Sequence, residues 1–171
     1  MRPLYYLVII LGFILSASLM RVGSAQQSLA FEEEVRQFFE QYLAVYNRRF
    51  DHPQDDTAFK EDMAGFLHGP LLQLPPTSPP RLMESAELAA SNFAGFVALL
   101  EQKGVRRLYW HEMQLQVLTP TKVLANNIGH GVDAEGNVVY ETISVYLLYK
   151  SEAGWRIVVF SPYQMANKFE L

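Results

Sequence analysis

The chain has 171 residues, a formal net charge of −4 and no cysteine, and half of it is apolar. That is enough for one domain with a real core, and it excludes a disordered chain, a disulfide scaffold, a thiolate metal site and a cysteine nucleophile. The acidic balance argues against a nucleic-acid partner.

Residues 1–25 stand apart. Met1-Arg2-Pro3 is a short positive start, Leu4 to Met20 carries no charge, and Gly23-Ser24-Ala25 ends on small residues. This is the pattern of a secretory signal peptide, with cleavage expected after Ala25. The expected protein is therefore exported, periplasmic or secreted, and free of the membrane once cleaved. The alternative is a membrane anchor formed by residues 4–20, a length at the lower edge of a span. Cleavage leaves 146 residues and, without Arg2 and Arg21, a net charge of −6.

The remaining chain, residues 28–171, reads as one domain. Val35, Phe38, Phe39, Tyr42 and Tyr46 mark one face of a helix over 28–50, with Ser28 as its cap and Asp51-His52-Pro53 as its stop. Asp55-Asp56 opens a shorter helix over 57–68, closed by Gly69-Pro70. Residues 71–82 hold Pro75, Pro76, Pro79 and Pro80, so any strand there is expected at an edge. Ser85 caps a third helix with the stripe Ala89, Phe93, Phe96, Val97 and Leu100, and Gly104 stops it. From Arg107 the period changes to two. Strands are expected at 108–118, 121–132, 137–150 and 155–163, separated by turn-type clusters, as in an antiparallel meander.

The order is α+β. The run Tyr42-Leu43-Ala44-Val45-Tyr46-Asn47 leading to Asp51, the proline-bearing segment after the second helix, and the ending Tyr146 to Ile157 with its Gly154-Trp155-Arg156-Ile157 element resemble the NTF2-like superfamily, specifically its SnoaL-like branch. The resemblance implies three N-terminal helices packed on a curved, antiparallel four-stranded meander that encloses a conical cavity. It says little about function, because the fold serves enzymes, binders and structural modules.

Hairpin registers then assign faces. Pairing through the three turns sets Met113 against Asn127 and His111 against Gly129, Asn127 against Thr142 and Ala125 against Ser144, then Ser144 against Ser161 and Thr142 against Tyr163. The concave face should therefore run from a core of Val117, Val123, Tyr146 and Val159 to a polar group of His111, Asn127, Tyr140, Thr142, Ser144, Ser161 and Tyr163, with Tyr42 and Tyr46 covering it. An apolar cavity with a few convergent polar groups is the usual form of a small-molecule site. The opposite face carries Ile143, Val145, Leu147, Tyr149, Val158 and Phe160, too apolar for a solvated sheet surface, and a homodimer is expected to cover it.

No helical zinc motif, nucleophile elbow, Walker loop or dinucleotide fingerprint occurs; no metal or cofactor is expected. No Asp or Glu is assigned to the cavity, which leaves His111 as its one group titrating near neutrality. Three functions stay open: a non-enzymatic pocket for a small, mostly apolar molecule; a cofactor-free lyase, isomerase or hydrolase with His111 as base and Tyr140 or Asn127 as polariser; and a structural dimeric module of the cell envelope.

Overall fold

The computed structural model describes residues 29–163 and Leu171. The leader, with its expected cleavage site, and the Ser28 cap lie outside the described residues.

Helix α1 spans residues 29–51 and buries the stripe read from its periodicity: Val35, Phe38, Phe39, Tyr42 and Tyr46 all belong to the core. Phe39 sits at the centre, with the rings of Phe38, Tyr42, Trp110 and Tyr146 set edge-on to it at 5.0–6.2 Å between centroids. Edge-on aromatic pairs add to what their buried area contributes.

Helix α2, Asp56–Ala64, is shorter than the expected 57–68. Asp55 occupies the N-cap position without a capping bond, and Asp56 instead pairs with Lys60 at 2.6 Å. The segment Leu67-His68-Gly69-Pro70 does not close the helix. It opens strand β1, Leu67–Gln73, which pairs with β2, Arg81–Met83. A residue before proline is pushed out of helical dihedrals toward extended ones, and Pro70 cannot donate to a helical ladder. The four-stranded expectation is thereby corrected: the sheet has six strands in the order β2-β1-β6-β5-β4-β3 and is mixed, with β1 parallel to β6. The expected edge strand is corrected too. β2 is the edge and β1 lies inside the sheet, its Pro70 falling in the irregular stretch between Leu67 and Leu72 where the missing donor is tolerated.

Helix α3, Ala86–Gln102, begins and ends as its sequence predicts. Ser85 Oγ accepts from Leu88 N–H at 3.2 Å. At the other end Val105 N–H donates to Leu100 C=O and Gly104 N–H to Glu101 C=O, with Gly104 at φ +84°. That pair of bonds is a Schellman stop, and it needs a residue that accepts positive φ.

The meander follows as β3 (Arg107–Thr119), β4 (Lys122–Val132), β5 (Val138–Ser151) and β6 (Gly154–Tyr163). α1 and α3 lie on its concave side, and α2 packs on them. α1 is fastened at both ends. Glu34 accepts from Lys150 Nζ on β5 and from Trp155 Nε1 on β6, the latter at 3.1 Å. Near the other end, the Asn47 carboxamide accepts from Leu108 N–H at 2.8 Å and donates to Leu108 C=O at 3.0 Å. β3 is the free edge of the sheet, and Asn47 supplies one rung of the missing neighbour. Asn47→Ala leaves both Leu108 backbone groups part-buried and unpaired. The expected cost is about 2 kcal/mol, read as a lower urea midpoint with unchanged slope; an unchanged midpoint refutes the role.

Candidate functional site

Rungs of the meander stack along the concave face. Val117, Val123, Leu148 and Ile157 fill the narrow end. Leu115, Ala125, Tyr146 and Phe160 come next, then Met113, Asn127, Ser144 and Pro162, then Trp110, Gly129 and Thr142, and finally Leu108, Gly131 and Tyr140. Tyr146 and Phe160 of the second row and Ser144, Pro162, Trp110, Gly129, Thr142, Leu108 and Tyr140 of the rows beyond it, with Tyr42 and Tyr46 of α1 and Phe93 and Phe96 of α3, enclose a cavity of about 280 Å³. This is just under the roughly 300–1,000 Å³ usual for drug-sized ligands, so it suits a smaller molecule. Gln73, Pro76 and Asn92 also border it.

Six of the nine expected cavity residues are on this wall or beside it. Tyr42, Tyr46, Tyr140, Thr142 and Ser144 line the cavity, and Asn127 is fully buried next to Ser144. The β4–β5 register is offset by two residues from the expected one, so partners change while faces do not: Asn127 opposes Ser144 and Gly129 opposes Thr142.

The other three are elsewhere, and two bulges explain them. In β3 the ladder passes from Trp110 opposite Gly129 to Glu112 opposite Ile128, leaving His111 as the extra residue. The faces exchange there. Leu108 and Trp110 turn inward, and His111 lies on the convex side, its ring stacked on His130 at 4.3 Å and 10°. In β6, Ile157 opposes Leu148 and Val159 opposes Leu147, so Val158 is the extra residue. Phe160 and Pro162 turn into the cavity, while Ser161 and Tyr163 turn out. Tyr163 Oη donates to Asn126 Oδ1 at 2.8 Å on the convex face. Of the residues expected on that face, Ile143, Val145, Leu147 and Tyr149 are there; Phe160 is inside and Val158 is in the bulge. Ile143 is already buried within the chain, Val145 and Leu147 are half-buried, and Tyr149 is 39% exposed.

Sequence reasoning missed Trp110, Phe160 and Pro162. One signal was available for the first. Trp110 faces Gly129, where a Cβ would come within 3.3 Å of the indole, a large residue matched to an empty position. Phe93 and Phe96 were on the α3 stripe but were read only as core.

A profile for an NTF2-like protein family (DUF6841) matches residues 32–165. The chain belongs to this NTF2-like family. No curated protein sequence matches it. Among solved structures, it resembles an NTF2-like protein with a cystatin-like fold from Novosphingobium aromaticivorans (13% identity, 88% of this chain and 92% of that one, TM-score 0.58). It also resembles a domain of unknown function with a cystatin-like fold from Nostoc punctiforme (16%, 83% and 80%, 0.58) and a candidate dehydratase of the NTF2-like family from Streptomyces avermitilis (11%, 78% and 94%, 0.55). Identities this low speak for the shared fold alone.

The interior of this NTF2-like cone is electrostatically quiet. Every residue lining the cavity is apolar or carries a hydroxyl or carboxamide. Tyr42 and Tyr46 hydroxyls bond to each other at 3.0 Å, and Trp110 Nε1 donates to Phe39 C=O at 3.1 Å. Burial pushes the phenols of Tyr42, Tyr46 and Tyr146 well up, and that of Tyr140 up as well. Among the described residues no group of three His, Asp or Glu is placed to hold a metal ion.

The polar chemistry lies on the convex side. His130 bonds Glu141 through Nε2 at 2.8 Å and the Tyr109 hydroxyl through Nδ1 at 3.1 Å. Asp133, a nearer sequence neighbour, is occupied instead in the β4–β5 turn, where it accepts from the backbone N–H of Glu135 and Asn137.

The raised phenols have a consequence at high pH. A group whose folded pKa lies above its unfolded value keeps its proton in the fold while the unfolded chain releases it. Stability is therefore constant below the ordinary tyrosine pKa of about 10 and falls as pH rises beyond it. Absorbance titration at 295 nm is expected to show Tyr42, Tyr46 and Tyr146 ionising only as the protein unfolds. Tyr146→Phe should weaken the alkaline loss of stability, and three phenols titrating reversibly in the folded state would contradict this.

Proposed function

We propose that this NTF2-like domain binds a small, mostly apolar molecule in the concave cavity. The observation that carries the reading is the wall: aromatic rings from α1, α3 and the sheet surround a space beside which the buried polar side-chain atoms without a hydrogen-bond partner, among the described residues, are those of Asn127 and Ser144. Rings give area and shape selection, and a few polar groups give orientation. The acid–base alternative in the form that relied on His111 loses its base, since that imidazole stacks on His130 outside the cavity. A SnoaL-like affiliation is a finer proposal and rests on the Gly154-Trp155-Arg156-Ile157 element.

Trp110 serves as an internal reporter because it lines the cavity and Trp155 does not. In a Trp155→Phe background, naphthalene is expected to quench Trp110 fluorescence saturably. Thr142→Phe, which narrows the space, should weaken this at least tenfold. Equal binding by both proteins would sink the reading.

We further propose that the chain is exported with loss of residues 1–25 and pairs with a second copy across the convex face. The leader pattern supports the first; half-buried Val145, Leu147 and Val159 with exposed Tyr149 support the second. Leu171 reaches the β3 side of that face, where its N–H donates to Gln114 Oε1 at 3.0 Å, and the partner surface we propose is the one over β5 and β6. Native mass spectrometry of the full-length chain expressed for export should give twice the mass of the 146-residue form. A single uncleaved chain at micromolar concentration would refute both.

A further inference from the structure

We propose that the occupant of the cavity is an uncharged planar ring system with a carboxamide-type head group, an acceptor and an N–H donor side by side, and that Asn127 and Ser144 receive that head group. This rests on the reading of the cavity as a ligand site and names the class of ligand.

The inference starts from which polar groups already have partners. Tyr42 and Tyr46 bond each other, the Trp110 indole is used on α1, and Asn92 Nδ2 bonds Gln73 Oε1 at 3.2 Å at the border of the cavity. Asn127 and Ser144 are different. Asn127 is 0% exposed and Ser144 1%, and the two amide atoms of the first and the hydroxyl of the second have no hydrogen-bond partner. They oppose each other across the β4–β5 ladder, which sets their Cβ atoms about 5 Å apart. Ser144 lines the cavity; Asn127 lies beside it across the ladder, behind the lining, and a head group reaches its carboxamide once the side chains over it shift to admit one. Along β4 the neighbouring concave positions are Ala125 and Gly129, and the side chains that cover Asn127 come from other strands, Trp110 packing over Gly129.

Chemistry selects the head group. Asn127 offers two donors and an acceptor in one plane, and Ser144 can donate or accept. A carboxamide or lactam edge, with its carbonyl and N–H adjacent, answers both amide atoms at once; a ketone answers the donor only. The absence of ionised side chains from the cavity lining argues against a charged head group. A carboxylate would be buried without a counter-charge. An ammonium could lie over the rings, but it offers Asn127 no acceptor. The flat ring system follows from the walls, where Phe93, Trp110, Tyr146 and Phe160 leave aromatic faces and edges as the available contacts.

The test compares four probes on one scaffold: naphthalene, 2-naphthamide, 2-naphthoate and 2-naphthyltrimethylammonium. Binding to the full chain is read by calorimetry. The amide is expected to bind at least tenfold tighter than naphthalene, and both ions more weakly than the amide. Asn127→Leu should bring the amide to within threefold of naphthalene without weakening naphthalene itself. It should also unfold at the same or a higher urea concentration, because it removes an unsatisfied buried group. Ser144→Ala provides the same comparison with a smaller change and stands in if the first variant does not fold. The proposal is overturned if either ion binds as tightly as the amide, or if the variants leave the amide-to-naphthalene ratio unchanged. When naphthalene saturates but the amide gains nothing, only the head-group assignment falls. When no probe saturates, naphthalene included, the ligand-site reading falls with it.

Discussion

Two inserted residues decide what this cavity is made of. Side chains on a strand alternate with period two, so one extra residue exchanges the faces beyond it. At His111 the exchange brings Trp110 and Leu108 inward and sends an imidazole out; at Val158 it brings Phe160 and Pro162 inward and sends Ser161 and Tyr163 out. Regular strands would have lined the same space with an imidazole, a hydroxyl and a phenol. Bulges also bend and twist the strands that carry them. The distortions that curve the flanks of the sheet into a cone therefore also make its interior aromatic.

The interior then depends on α1 as its lid. The helix is held near one end by Glu34, shared between Lys150 and Trp155, and near the other by Asn47, which completes the edge of β3. Between these ties lie Phe39, edge-on to Trp110 and Tyr146, Tyr42, edge-on to Tyr146, and Tyr46, edge-on to Tyr42. Trp155 therefore has a clear task. Gly154, at φ +90°, makes the turn after β5, Trp155 reaches Glu34, and Ile157 enters the core. Because α1 and the rings use most of the nearby polar groups among themselves, Asn127 and Ser144 stand out as a pair without partners.

Much of this was legible in the residues. Helical stripes, Ser85, Gly104 and the turn clusters each act locally, so α1, α3 and the order of the meander could be read directly. The β4–β5 offset of two residues did no harm, since an even shift preserves faces and kept Asn127, Thr142 and Ser144 inside. The bulges were not legible by alternation alone, because an extra residue leaves no mark on a pattern that simply restarts out of phase. Gly69-Pro70 misled in another way. Pro-Gly punctuation reads as a stop, yet β1 absorbs Pro70 at an irregular point of its ladder with β6. Whether Leu67 continues a helix or begins a strand depends on β6, almost ninety residues later.

The convex face carries the inverse lesson. The residue types that suggest acid–base work, His111, His130, Glu141 and Tyr109, do come together, but on the outside of the sheet and in bonds to one another. Inside, no lining residue is ionised, and the buried phenols hold their protons more tightly than free tyrosine does. An interior of this kind discriminates by shape and by matching neutral donors with neutral acceptors, because any charge entering it loses hydration that no ionised lining residue replaces. Folds of this class share the cone at identities near 10–16%. What this cone presents to a ligand is set by the parity of its strands and the few polar atoms left unpaired beside the cavity, and those atoms belong to Asn127 and Ser144.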